Sequence, residues 1–430
     1  EEIQIIRGAA SLQYGTQFGG LVNFIMKKPP KSKSIELITR NTIGSNKLYT
    51  NFTSIGGTIK NLSYFSFINY KKGNGFRPNS EFESFNTYNY LKYKINNKLW
   101  LSTELTYLDY IAQQAGGLSD QMFEQNHLQS NRERNWFQVK WLLYNIYLNY
   151  TPSKRQTLSI NFFGLNAQRN ALGFRTNRVS QIDSEEERDL ITGDFNNYGF
   201  ESKFLSKYNI KSLKSTLLLG AKFYKSENSS RQGPGSSNSD ADFNFYSNNF
   251  PNYNNQSEYQ YPNLNIAFFG ENLFYLNSRL SITPGFRIEH IKTESSGNYK
   301  KINLDGAGNV ILNETIYNDN IRQRSFILLG TGISYKGPLE IYGNISQNYR
   351  SVTFADISII NPAYSIDPNI SDEKGYTIDC GLRGLINEYV SYDFSIFNLY
   401  YNNRIGFIQK AYDDGSVKSE KGNVGNALIY

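Results

Sequence analysis

The feature that most limits what this chain can fold into is the rhythm of its connections. Short turns are readable at 58–62 (TIKNL), 95–98 (INNK), 151–155 (TPSKR), 206–214, 276–279 (LNSR), 335–338 (YKGP) and 386–391. Between them lie long polar connections near 71–83, 111–135, 169–193, 228–259, 294–318, 348–371 and 402–420. Short and long alternate along the chain. A soluble sandwich has no reason to gather every long loop on one side. A barrel that crosses an outer membrane does, with short turns on the inner side and long loops outside.

The segments between connections alternate with period two. In "LSITPGFRIEH", Leu280, Ile282, Phe286 and Ile288 oppose Ser281, Thr283, Arg287 and Glu289. In "YTIDCGLRG", Tyr376, Ile378, Cys380 and Leu382 oppose Thr377, Asp379, Gly381 and Arg383, and "LWLSTELTYL" sets Leu99, Leu101, Leu105 and Tyr107 against Trp100, Ser102, Glu104 and Thr106. Alternation alone fits any half-solvated antiparallel sheet. With one-sided loops it predicts a transmembrane antiparallel β-barrel whose apolar faces meet lipid and whose polar faces meet the lumen, with about 16 strands from Ser34 to Tyr430. No apolar run of about 18 residues exists, so no transmembrane helix is expected. Aromatics reach 15% in a chain of mean hydropathy −0.53. They cluster at strand ends, as interfacial girdles require. One Cys and two His leave no disulfide framework and no multi-His metal centre. The net charge of +7 suits ordinary solubility as well as an anionic lipid or ligand, and no nucleic-acid partner is expected.

A barrel needs no glycine-rich preface, yet the chain opens "IIRGAASLQYGTQFGGLVNFIMKKPP" at 5–30. Gly8 and Gly15 bracket a short turn-helix, Gly19 and Gly20 permit a bend, and Pro29 and Pro30 end a strand. No Gly-Lys-Ser/Thr follows, so this is no phosphate-binding loop. "RGAASLQYG" resembles the last part of the plug domain of TonB-dependent outer-membrane receptors, and "GGLVNFIMKKP" is similar to that plug's final strand and linker. Four further strings resemble the ferric-citrate branch of the family: "QQAGGLSDQMFEQNHLQSNRERNWF" (113–137), "SQNYRSVTFADI" (346–357), "PNISDEKGYTIDCGLRG" (368–384) and "YNNRIGFI" (401–408). The resemblance implies residues 1–30 as the end of a plug and 31–430 as part of a 22-stranded barrel. The TonB-contacting motif and the last strands then lie outside the sequence. It implies a bacterial outer-membrane receptor, energised by TonB and surrounded by outer-membrane lipid, for ferric citrate or a similar iron chelate. Another siderophore, cobalamin, a nickel chelate or a glycan stays open as ligand, and a passive porin or a structural barrel as a more distant alternative. No cofactor is expected, because iron arrives as chelated cargo.

A carboxylate-rich chelate calls for arginine, whose planar fork binds carboxylates bidentately and stays charged. The loops at 111–137 and 169–193 hold Arg132, Arg134, Arg169, Arg175, Arg178 and Arg188 and no Lys, although Lys outnumbers Arg 27 to 18 in the chain. Arg132, Arg134, Arg175 and Arg178 are therefore the expected ligand contacts, with Gln114, Asn131, Tyr349 and Arg350 on the same rim. The same loops carry eight acids, which could instead neutralise those arginines at little energetic gain. The resemblance assigns Arg7 to a plug–barrel latch. His127 in a loop and His290 on an apolar register fit neither a metal site nor a catalytic triad, so no enzymatic activity is expected.

Overall fold

The computed structural model describes residues 2–6, 12–15, 21–176, 178–353, 356, 364–386, 389–411 and 417–430. Strands β3 (Glu36–Gly44) to β15 (Glu340–Arg350), followed by β17 (Glu373–Ile386), β18 (Val390–Ala411) and β19 (Val417–Ile429), form one continuous sheet that rolls into a barrel with strand order following the chain. These sixteen strands pair antiparallel with their neighbours along the ladder from β3 to β19. A three-residue β16 (Tyr364–Ile366) runs parallel to β19. The expected fold class and strand number are therefore present.

Two-residue turns set the register of the tight hairpins. Asn46 and Lys47 both have φ near +55° between β3 and β4 (Leu48–Ile59), the left-handed pair that matches strand twist. Lys60 and Lys211 play this part in the turns to β5 (Leu62–Gly73) and from β10 (Asp189–Ile210) to β11 (Leu213–Pro234). Because side chains alternate, each turn fixes which residues face inward along the whole hairpin. On β13 (Leu280–Leu304), Arg287, Glu289, Thr293 and Ser295 are buried while Ile288 is exposed. On β14 (Val310–Lys336), Leu328 is buried, whereas Ile327, Leu329 and Ile333 are exposed. The outside is apolar and the inside polar, as the alternation predicts. On β17, Asp379 is buried between exposed Tyr376, Cys380 and Leu382.

Two expected loops are strands. Residues 294–318 form the far end of a β13–β14 hairpin of 25 and 27 residues, closed by a turn at 305–309 in which Asp305 Oδ1 accepts from Ala307 N and Asn309 N at 2.9 and 2.8 Å. Above Gly330 and Ser346 β14 leaves β15, while β13 stays paired with β12 as far as Tyr299, and beyond that the hairpin's polar sequence hides the alternation. Most of 402–420 likewise extends β18 and β19, with 412–416 outside the described residues. The expected connection at 348–371 holds: its described part folds back against β14, where Asp372 takes Arg324 Nε at 3.0 and 2.9 Å, Val352 N at 2.7 Å and the Tyr349 hydroxyl.

The opening stretch forms an antiparallel pair, β1 (Glu2–Ile6) and β2 (Leu21–Ile25), and a single 3-10 turn at Leu12–Gln13. That turn lies on the inner wall. Leu12 packs with Leu328 and Tyr349, Gln13 Nε2 reaches Glu271 Oε1 at 3.3 Å, and Arg287 donates to the Leu12 carbonyl at 3.1 Å. Residues 30–34 are tied to the wall where β4 and β5 meet, through Thr58 Oγ1 to Pro30 O (2.8 Å) and Tyr64 Oη to Ser34 O (2.9 Å). Arg7 lies outside the described residues. The described tether runs the other way: a barrel arginine, buried and paired with Glu289, holds the backbone of the N-terminal segment.

Candidate ligand-binding site

Four long connections gather at one end of the barrel: 74–81, 114–135, 174–188 and 235–256. Loop backbone carries carbonyls that no sheet ladder satisfies, and buried carbonyls need donors. Arginine, with five fixed N–H groups, meets that need. Arg77 donates to the carbonyls of Gln129 (2.8 Å), Gly116 (2.9 Å) and Ala115 (3.3 Å). Arg132 is buried and donates to Gln181 O at 3.0 Å and Val179 O at 3.3 Å, with its guanidinium over the Phe174 ring. Arg134 is also buried; it pairs with Asp183 and donates to Glu186 O at 2.9 Å and Ser237 O at 2.7 Å. Arg188 is fully buried, donating to Ser236 O (2.9 Å), Arg134 O (3.0 Å), Asp240 O (2.7 Å) and Ser236 Oγ (2.7 Å).

Together these arginines stitch the loops into one body around a groove of about 770 Å³. Its lining includes Asn131, Arg132, Glu133, Arg134, Gln181, Asp183, Glu185 and Asp240. Burial pushes the Asp183 carboxyl up, but the Arg134 hydrogen bonds, the Glu185 amide and the Arg132 charge outweigh it, leaving Asp183 below the usual aspartate value. Burial pushes Arg188 below the ordinary arginine value, against the opposing charge of Asp240.

The expected contacts separate into three groups. Arg132 and Arg134 do meet at one groove, but most of their donors already serve carbonyls and Asp183. Arg175 and Arg178 are the more exposed cations: Arg175 is half-exposed and paired with Asp189 at 3.6 Å, and Arg178 is exposed without an ion pair among the described residues. Gln114 is exposed at the start of the 114–135 connection, its backbone N bonded to Asn135 O. Arg350 stands elsewhere, between Asp356 and Glu373 at 3.1 and 3.2 Å, and Tyr349 is buried against Phe326 and Leu12 rather than on a rim. Asn131 Nδ2 binds Val179 O at 2.8 Å and joins the stitching. Sequence reasoning missed Arg77 and Ser236–Asp240. No residue-type signal marks them, because their role is set by backbone carbonyls. Among the described residues, no group of three or more His, Cys, Asp or Glu is arranged to hold a metal.

Comparison with known proteins accords with this architecture. The unliganded ferric citrate transporter FecA aligns at 18% identity over 94% of this chain and 57% of its own, with a TM-score of 0.75. The siderophore receptor PiuA from Acinetobacter baumannii aligns at 12% identity, covering 99% and 64%, with a TM-score of 0.75. The ferric yersiniabactin receptor FyuA from Yersinia pestis gives 12%, 99% and 62%, with 0.73. At such identities the likeness shows the fold, and this chain spans about three fifths of each relative's length. No curated protein matches the sequence. Residues 60–430 match the family described as TonB dependent receptor-like, beta-barrel, so the chain belongs to the TonB-dependent receptors, which are transport receptors and not enzymes.

Proposed function

We propose that this chain is the barrel portion of a bacterial outer-membrane receptor that captures an iron chelate, ferric citrate or a close analogue, and releases it inward on energy from TonB. The observation that carries this reading is the stitched groove, lined in part by the 174–188 loop that also bears the exposed Arg178. Arg132, Arg134 and Arg188 hold three loops in place, while Arg178 is exposed with no ion pair among the described residues and Arg175, half-exposed, would have to exchange Asp189 for a carboxylate ligand. Preorganised loops lower the ordering cost of binding. Residues 1–30 act in this reading as the end of a plug, held to the wall through Leu12 and Arg287, and the exposed apolar strand faces meet lipid.

The test is equilibrium binding of ferric citrate to the refolded chain in lipid. Arg175→Ala and Arg178→Ala are each expected to weaken binding tenfold to a hundredfold, about 1.5–3 kcal/mol for a charge-assisted contact. Lysine at either position is expected to restore only part of it, because the charge returns without the fork. Wild-type affinity in both alanine variants overturns the carboxylate-chelate reading.

A further inference from the structure

A second recess opens on the barrel wall, away from the loops. It has a volume of about 380 Å³ and is formed by β7 (Leu99–Gln113), β8 (Trp136–Ser153), β9 (Gln156–Gly173), β10 and β11. Glu104 shares the inward register of buried Ser102, opposite exposed Leu105, and sits directly across from Asn145 on β8. Asn161 and Asn197 complete the polar lining, with Phe163 and Tyr224 beside them.

The hydrogen-bond inventory of this recess is one-sided. The side-chain oxygens of Asn145, Asn161 and Asn197 are all buried with no donor. Glu104 takes the Asn145 amide but forms no ion pair among the described residues, whereas other inward acids have a cation: Glu201 takes Lys203 at 2.9 Å and Glu289 takes Arg287. The nearby cation Lys222 lies against the Phe163 ring, 5.7 Å from its centroid, and is not paired with Glu104. Buried acceptors without donors are costly, and a carboxylate without a cation among them more so. We propose that this recess binds a small organic cation carrying several N–H donors, a guanidinium or primary ammonium solute. Its charge is met by Glu104, its N–H groups by the three amide oxygens, and its flat or compact head by the aromatic rings, which favour cations. The volume suits a solute of that size.

This ligand carries the opposite charge to the one proposed for the loops, so a failure of ferric citrate binding leaves the recess proposal standing. The probe is agmatine, which bears both cationic groups, titrated calorimetrically into the refolded chain. Saturable one-to-one binding is expected, weakened at least tenfold in Glu104→Gln and also reduced in Asn161→Leu. Retained heat-modifiable mobility of each variant on a gel shows that the barrel has folded. No agmatine binding by the wild-type chain, or binding unchanged in a folded Glu104→Gln variant, overturns the proposal.

Discussion

Arg134 and Arg178 stand side by side as expected ligand contacts, yet in the structure they do different work. Arg134 is enclosed by Asp183 and two loop carbonyls, while Arg178 is exposed. Arg134→Ala leaves the Asp183 carboxylate half-stripped of partners, and hydrogen exchange across 178–187 is expected to accelerate strongly; Arg178→Ala is expected to leave that exchange unchanged. The Asp183 pKa gives the pH sense. Its folded value lies below the ordinary 3.8, so its contribution is complete above that value and is lost as pH falls through the lower folded one. Loop protection is therefore expected to hold from neutrality to about pH 4 and to fall below it, and in Asp183→Asn that acid-dependent step should vanish. The excess of Arg over Lys in these loops was legible in sequence, and it pointed to the loops that line the groove. Which guanidiniums are spent on carbonyls was not, because backbone acceptors leave no mark on residue type.

Among the elements, the strands with one lipid face were readable and the far end of the β13–β14 hairpin was not. Period two announces a strand only while its two faces differ in residue type, and β13–β14 beyond Tyr299, where β12 ends its pairing, is polar over most of both faces. The connection after β15 shows the reverse case. It has no regular pattern, yet Asp372 anchors it to Arg324, Val352 and Tyr349. Asp372→Ala removes the partner of a buried guanidinium, for which a cost of about 3–5 kcal/mol is typical. Reversible unfolding in lipid should show that loss, and a paired Arg324→Met, Asp372→Leu variant should recover much of it. A paired variant as unstable as the single one shows that packing, not the unpaired charge, sets the cost.

For the molecule as a whole, the one-sided loop rhythm and the alternating faces carried the barrel, because a membrane imposes both on every strand. Cys380 tests the register at this scale. It is exposed between Asp379, buried in the wall, and Gly381. Cys380→Arg is expected to destabilise the barrel by about 2–4 kcal/mol if it lies at mid-bilayer depth, and progressively less toward either interface. A neutral result in lipid, alongside a destabilised Ile327→Arg, would place Cys380 outside the hydrocarbon layer.

The pairing of β1 with β2 has a mechanical consequence. Glu2 lies opposite Ile25 and Ile6 opposite Leu21, so the start of β1 and the end of β2 are at the same end of the hairpin. The chain after β2 is moored to the wall at Pro30 and Ser34. A pull on Glu2 against that mooring loads the five rungs in series, beginning with Glu2–Ile25, rather than all at once in shear. The hairpin should therefore yield at low force as a zipper does. Beyond it, the turn held by Arg287 at Leu12 becomes the next point to bear load.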